Sequence, residues 1–435
     1  MTTQLPPLVA LPEFAPARRP ATVGVTIDDR EERDRRLLLR CLQVMLFAAI
    51  PLQRFGFPVG GSAIALGLLV TLATVGLMAV RGLLQVDTAR LALFAVVAAA
   101  AAVSAMVNPS TASATSYLLF VALYVPFVFV TTTDRAFFLA TLRTFQTLVF
   151  VCAVLGVIQF LAQFVVQSEL LFTFKGLLPD AILMPGFNTA VPLTYGAALM
   201  KSNGFLLLEP SIFSQLLALA LLVEILFFGR VLRLALFGLA LPLSYSGTGI
   251  LLLAVFLPLV VLHRRAVGLM IAGAVGVVVL IPFAGALHLD VILQRAGELQ
   301  STQTSGFARF VSAFWLLRDF VVDNTPALFF GLGPGSITGV LHDVPYEAHD
   351  PTWGKLLFEY GIVGTLVFSV FFLACVFVGA HSKWVSGFLL FGFLFFGGVL
   401  LDPRVNALLI AFCTLQRVAG YGRATEEDAV TGAER

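Results

Sequence analysis

GFARFVSAFWLLRDF (306–320), FFGLGPGSITG (329–339) and EAHDPTWGKLLFEYGIVG (347–364) interrupt a chain that is otherwise almost continuously apolar. Of its 435 residues 59% are hydrophobic and only 12% charged, with 41 phenylalanines and a mean hydropathy of +0.96. Soluble domains run nearer 45–50% apolar and about 25% charged, so this composition excludes a soluble globule. Apolar runs near 20 residues recur from end to end, each long enough to cross a hydrocarbon layer about 30 Å thick. A polar segment over about 288–354, lying between two such runs, is not required by the membrane and so points to function.

Outward from that segment the pattern predicts an all-α, polytopic integral membrane protein with about twelve transmembrane helices. The expected spans are 37–53, 60–80, 90–107, 116–133, 144–166, 210–229, 233–246, 248–262, 266–287, 355–379, 384–400 and 404–416. The seventh and eighth come from one run broken at SYSGTG (244–249). Residues 1–36, ending DDREERDRR, read as a disordered cytosolic tail without the apolar core of a signal peptide, and 417–435 as a second tail. Between them, 37–416 form the membrane domain. Cys41, Cys152, Cys375 and Cys413 each lie in or beside an apolar run without a C-x-x-C pair, which predicts single buried thiols.

Short-loop charge sets the orientation. With both termini cytosolic, alternate connections carry Arg81/Arg90, Arg135/Arg143, Arg230/Arg233, Arg264/Arg265, Lys383 and Arg417. The outer side then receives the long loops 167–209 and 288–354 and short turns near Phe57, Asn108 and Asp402. The basic residues left there are Arg54, Lys175, Lys201, Arg295, Arg309, Arg318, Lys355 and Arg404. They are either snorkelling anchors or an electropositive vestibule for an anionic ligand. The net charge of +2 does not suggest nucleic acid.

The outer segment holds the candidate chemistry. Phe307, Phe310, Val311, Phe314, Trp315 and Leu317 suggest an amphipathic helix along the membrane surface. Arg309 and Arg318 fall roughly 180° apart on such a helix. One is then the ligand contact, with Arg309 favoured, and the other an anchor or a partner of Asp319 or Asp323. GLGPG (331–335) lacks the G-K-[ST] ending of a phosphate loop and reads as a tight turn. His349, just before a helix start, suits acid–base work, although His342 lies close by. Glu359 is costly in a span unless paired, with Lys355 four residues earlier as its candidate partner. The other long loop ends KSNGFLLLEPSIFSQL (201–216), which brings Lys201 and Glu209 to the membrane face. Glu224 is expected to pair with Arg230 or Arg233. No metal-binding spacing occurs.

Taken in order, KSNGFLLLEPSIFSQLLALAL (201–221), LSYSGTGILLL (243–253), FARF…FGLGPGS (307–336) and AHDPTWGKLLFEYGIVG (348–364) resemble the O-antigen polymerase and ligase family of bacterial membrane glycosyltransferases. The resemblance covers about a third of the chain. It implies an inner-membrane enzyme that polymerises undecaprenyl-pyrophosphate-linked repeat units at the periplasmic face into exopolysaccharide or O-antigen, without cofactor or metal. Its partners would be the lipid-linked oligosaccharide, membrane lipid, and other assembly proteins such as a flippase and a co-polymerase. In that reading His349, Arg309 and Glu359 are catalytic. Lys201, Glu209, Arg318, Arg295 and Lys355 bind substrate. Three departures stand out: Lys201 and Gly247 occupy positions where the family has arginine, and Pro351 lengthens the histidine segment by one residue. A ligase with another acceptor is the near alternative. A flippase or transporter is the second, although no pair of equivalent broken helices marks two halves. A structural subunit of an export complex is a further class.

Overall fold

The computed structural model describes residues 29–59, 62–166, 168–194, 196–264, 268, 302, 304–341, 343–396 and 398–418. Arg295, His342, the expected span 266–287 and most of both tails lie outside the described residues.

The first eight helices are α1 (Asp29–Ala49), α2 (Leu66–Val80), α3 (Thr88–Val107), α4 (Ala114–Tyr124), α5 (Arg135–Ala162), α6 (Pro210–Val223, continued by a π turn over Glu224–Phe228), α7 (Val231–Leu243) and α8 (Gly247–Arg264). The described part of the polar segment folds as four short helices: α9 (Ser305–Phe310), α10 (Ser312–Leu317, with a π turn over Arg318–Val322), α11 (Thr325–Phe330) and α12 (Ser336–Leu341). The chain closes with α13 (Thr352–Phe377), α14 (Lys383–Phe395) and α15 (Pro403–Leu409, with a π turn over Ile410–Thr414). Among the described residues, four helices (α3, α5, α6 with its π turn, and α13) are long and apolar enough to cross a membrane, and six shorter apolar helices accompany them.

Three expectations are corrected. Residues 29–36 are not a tail but the first turns of α1. Glu and Arg are good helix formers, and Glu32 pairs with Arg36 at i,i+4 while Arg35 reaches Asp134 at 2.9 Å. The single amphipathic helix over 306–320 is instead two helices, broken at Val311. Finally, the fold is not purely helical. β1 (Gly56–Val59) and β2 (Ser62–Ala65) form an antiparallel hairpin, while β3 (Gln85–Val86), β4 (Phe129–Thr133) and β5 (Gln416–Val418) form a small sheet in the order β3-β4-β5. The span expected at 116–133 ends early because Pro126 lies in its closing 3-10 turn and FVTTT is β-branched.

Inter-helix connections gather into two groups, the same two that the charge pattern separates. The small sheet joins the α2–α3 and α4–α5 connections to the C-terminal segment. His381, between α13 and α14, bonds Thr133 there at 2.8 Å, and Asp87 pairs with Arg417. In the second group, Arg54 after α1 bonds the carbonyls of Leu207 and Phe172, and Ser202 N bonds Leu243 O beside the SYSGTG turn. Ser113 N bonds Pro334 O, and Gly398 N bonds Asp350 O.

Phenylalanine builds much of the core. Phe120, Phe127, Phe368, Phe371, Phe372 and Phe393 stack and tilt against one another and against Tyr124. Buried Arg90 ties this core together at one end, donating to the carbonyls of Phe127, Thr414 and Cys375. Those carbonyls close helical segments and carry the negative end of their dipoles. Glu224 is fully buried and takes Arg230 through two side-chain bonds of 2.7 and 2.8 Å, as expected. All four cysteines are buried free thiols.

KSNG (201–204) is an architectural knot. Asn203 Nδ2 donates to Phe172 O (3.0 Å) and Thr189 O (2.8 Å), and its Oδ1 accepts from Gln159 (2.9 Å) and Phe205 N (3.0 Å). Asn203→Leu leaves the Thr189 carbonyl and the Phe205 N–H without their side-chain partner, while Phe172 O keeps Arg54 and Gln159 keeps Leu171 O, at about 1–3 kcal/mol for each buried group left unpaired before any relaxation. A clear fall in the melting temperature of the detergent-solubilised protein is the expected result, and an unchanged melt would contradict this assignment.

Candidate functional site

The second group of connections encloses a cavity of about 300 Å³. Its polar wall carries Gln53, Glu209, Arg309, His349, Asp350, Asp402 and Arg404. Its remaining wall is apolar and descends between α6, α8, α14 and α15 through Leu216, Leu219, Leu252, Phe388, Phe393 and Leu408. One cavity thus offers charged groups at one part and hydrocarbon at another, a shape suited to an amphipathic ligand.

Arg309 and His349 are forty positions apart in sequence. They meet because the segment before α13 runs back along α9: Glu347 N bonds Thr302 O, and His349 N bonds Ala308 O, each at 3.0 Å. The break at Val311 helps hold this arrangement, since Ser312 Oγ, just beyond it, lies 3.3 Å from His349 N. Burial, and then the positive charge of Arg309, push the His349 imidazole below its ordinary value of 6.5. Asp350, Glu209 and Glu347 oppose the shift without reversing it. At neutral pH the ring is therefore uncharged and able to accept a proton.

Glu209 stands immediately before α6, in extended geometry, and accepts from Ser211 Oγ at 2.9 Å. Pro210 at the first helical position keeps that helix start sharp. Asp402 plays the corresponding part for α15, accepting from Arg404 N at 2.8 Å. Asp350 precedes Pro351, whose carbonyl begins α13 by accepting from Lys355 N. Three helix starts therefore converge on the cavity, and their dipoles favour negative charge there.

The other predicted site residues are placed differently. Lys355 Nζ lies 2.9 Å from Asp350 and 3.1 Å from Glu359, so it spans the two carboxylates behind the cavity wall. Glu359 is fully buried and does not line the cavity. It sits instead at a kink in α13. Gly361 there has φ +64°, and the carbonyls of Phe358 and Glu359 accept from Leu332 N and Gly333 N of the GLGPG turn. Gly361 thus permits a close approach between a turn and a helix. Lys201 is outside the cavity lining; its backbone N bonds Val191 O within the KSNG knot. Arg318 is exposed, bound to Asp319 and packed over Trp315, away from the cavity. Arg54, another cation that the charge pattern assigns to the outer side, is a buried clamp on the long loop.

The sequence names Arg404 only as one of eight basic residues assigned to the outer side, and Asp402 only as a turn position, neither as a particular site residue. The available hint was D-P-R (402–404), an acidic cap, a helix-starting proline and an outer arginine. Neither does the wall carry a strong excess of positive charge. Arg404 is bound by Asp402 and Lys355 by Asp350, so each cation is held by a carboxylate instead of standing in an electropositive vestibule. Among the described residues, no cluster of three or more His, Cys, Asp or Glu side chains is arranged to hold a metal ion. Neither a protein-family model nor a curated protein matches the chain.

Proposed function

We propose that this chain is a polytopic membrane glycosyltransferase of about twelve spans, polymerising lipid-pyrophosphate-linked oligosaccharide at the outer face of the cytoplasmic membrane. Both termini lie in the cytosol and the cavity opens on the opposite side. The observation that carries the reading is the cavity itself. Arg309 and a neutral His349 share a wall with three helix starts, and an apolar wall suited to a polyprenyl chain continues beneath them.

In the reaction the acceptor sugar's hydroxyl oxygen forms a bond to the donor's anomeric carbon. The bond from that carbon to the phosphate oxygen breaks, and the lipid pyrophosphate leaves with the electron pair. His349 takes the hydroxyl proton. Arg309 stabilises the negative charge that grows on the leaving oxygen. Glu359 and Lys355 are assigned to support, holding Asp350 and with it the segment that carries His349. The test is to supply the purified protein with lipid-pyrophosphate oligosaccharide and follow lipid-linked chain length. Growth without nucleotide supports the reading, whereas vectorial movement of unchanged substrate would replace it with a flippase.

The pH dependence carries a definite sign. The base form of His349 is populated above its pKa, which lies under 6.5. Initial rates should therefore be flat near neutrality and fall on the acid side of pH 6.5. His349→Gln should lower the plateau by about 100-fold or more and remove that acid limb. An unchanged rate and profile in the variant would end the general-base role.

A further inference from the structure

We infer that Arg404 is a second anion-binding residue of this cavity, reading the distal phosphate of a pyrophosphate, with Asp402 as the residue that positions it. This inference rests on the functional reading above and extends it to a residue outside the four family-like segments.

Arg404 lines the cavity, and its side chain is only 15% exposed. Three neighbours fix the guanidinium. Asp402 takes Nε at 2.8 Å and also Nη2, Gln53 Oε1 lies 3.4 Å from Nη1, and the Phe187 ring centroid is 4.8 Å from the guanidinium carbon. A guanidinium has five N–H donors. Three are engaged here, which leaves one on each terminal nitrogen without a protein partner among the described residues. The remaining pair sits on a planar fork, the geometry that suits two oxygens of one phosphate. Asp402 also caps α15, so the fork is tied to a helix start whose dipole favours the same anion.

Arg309 and Arg404 reach the cavity from separate segments, α9 and α15. Two cations on one wall suit two linked phosphates better than one. Lys201, the second cation expected from the sequence, is outside the lining.

The experiment measures binding of undecaprenyl pyrophosphate and undecaprenyl monophosphate to the full chain in nanodiscs. Wild type should prefer the pyrophosphate. Arg404→Met should weaken pyrophosphate binding on the order of 10- to 100-fold and leave monophosphate binding nearly unchanged, abolishing the preference. Arg404→Lys, which keeps the charge without the fork, should fall between. Because Arg404→Met strands Asp402 as an unpaired carboxylate, the double variant Asp402→Asn/Arg404→Met is tested beside it and should show the same lost preference with a wild-type elution profile. If wild type prefers pyrophosphate and both Met-containing variants keep that preference, the role of Arg404 is overturned and the glycosyltransferase reading stands. If wild type binds neither lipid, the functional reading fails and this inference with it.

Discussion

Arg309→Ala should reduce chain growth by about 100- to 1,000-fold while the protein still folds. The leaving pyrophosphate gains negative charge in the transition state, and a fixed cation beside the breaking bond acts where that charge develops. Two further cations near the cavity are held by carboxylates: Arg404 by Asp402, and Lys355 by Asp350 and Glu359. Neither can move to substitute for Arg309 without stranding a carboxylate, which is costly in a largely buried setting. Arg309→Lys should retain part of the rate, because charge survives but the bidentate fork does not. Initial rates at saturating donor, with size-exclusion profile and melting temperature recorded for each variant, make the check. A near-wild-type rate in Arg309→Ala would remove this residue from the chemistry.

The largest effect on folding is expected at Gly361. Its backbone has φ +64°, in the left-handed region that side chains disfavour. A Cβ there would lie 2.5 Å from the Phe329 carbonyl carbon and 2.6 Å from Gly331 N. The neighbour is backbone and cannot swing aside. Gly331 faces the same problem from the other partner, with a Cβ directed into the Glu359 carbonyl. The two glycines let the GLGPG turn lie directly on the kink of α13, where its N–H groups bond the carbonyls of Phe358 and Glu359. Gly361→Val combines backbone strain, a backbone clash and the loss of those bonds, a cost on the order of 4 kcal/mol or more. Aggregated or poorly expressed protein is the expected outcome. Gly339→Ala, with open space around its Cβ position, is the control and should elute and melt as wild type. A Gly361→Val protein that did the same would show that the turn and helix can separate without consequence.

Hydropathy and short-loop charge located much of the architecture. Eleven of the expected spans meet a helix near the predicted position, and the predicted outer connections do gather apart from the predicted inner ones. Local chemistry was legible for the same reason it is local. GLGPG reads as a turn because glycine permits positive φ, and Glu224 pairs with an arginine only six residues away. Helix ends were read less well. The charged turns of α1 and the break at Val311 do not follow from apolar periodicity, since one is polar and the other sits inside an amphipathic run.

The site divides along the same line. Glu209, Arg309 and His349 were recoverable because each stands at a polar break in an apolar chain. Whether they share a wall depends on how 347–349 lies along α9, a pairing between segments with no common period. Lys201 and Arg318 carry the right charge but lie outside the cavity lining, Lys201 in the KSNG segment and Arg318 in an exposed pair with Asp319. Arg404 looks in sequence like one more helix-end arginine, and becomes a cavity residue because α15 packs beside α1 and beneath the long loop's Phe187. The sequence alone determined that this is an apolar, mostly helical chain interrupted by a charged segment, since hydropathy is written residue by residue along the chain. Only the tertiary structure decided which charges face a common cavity, because the hydrogen bonds and backbone contacts that aim a side chain join residues whose separation in sequence carries no signal.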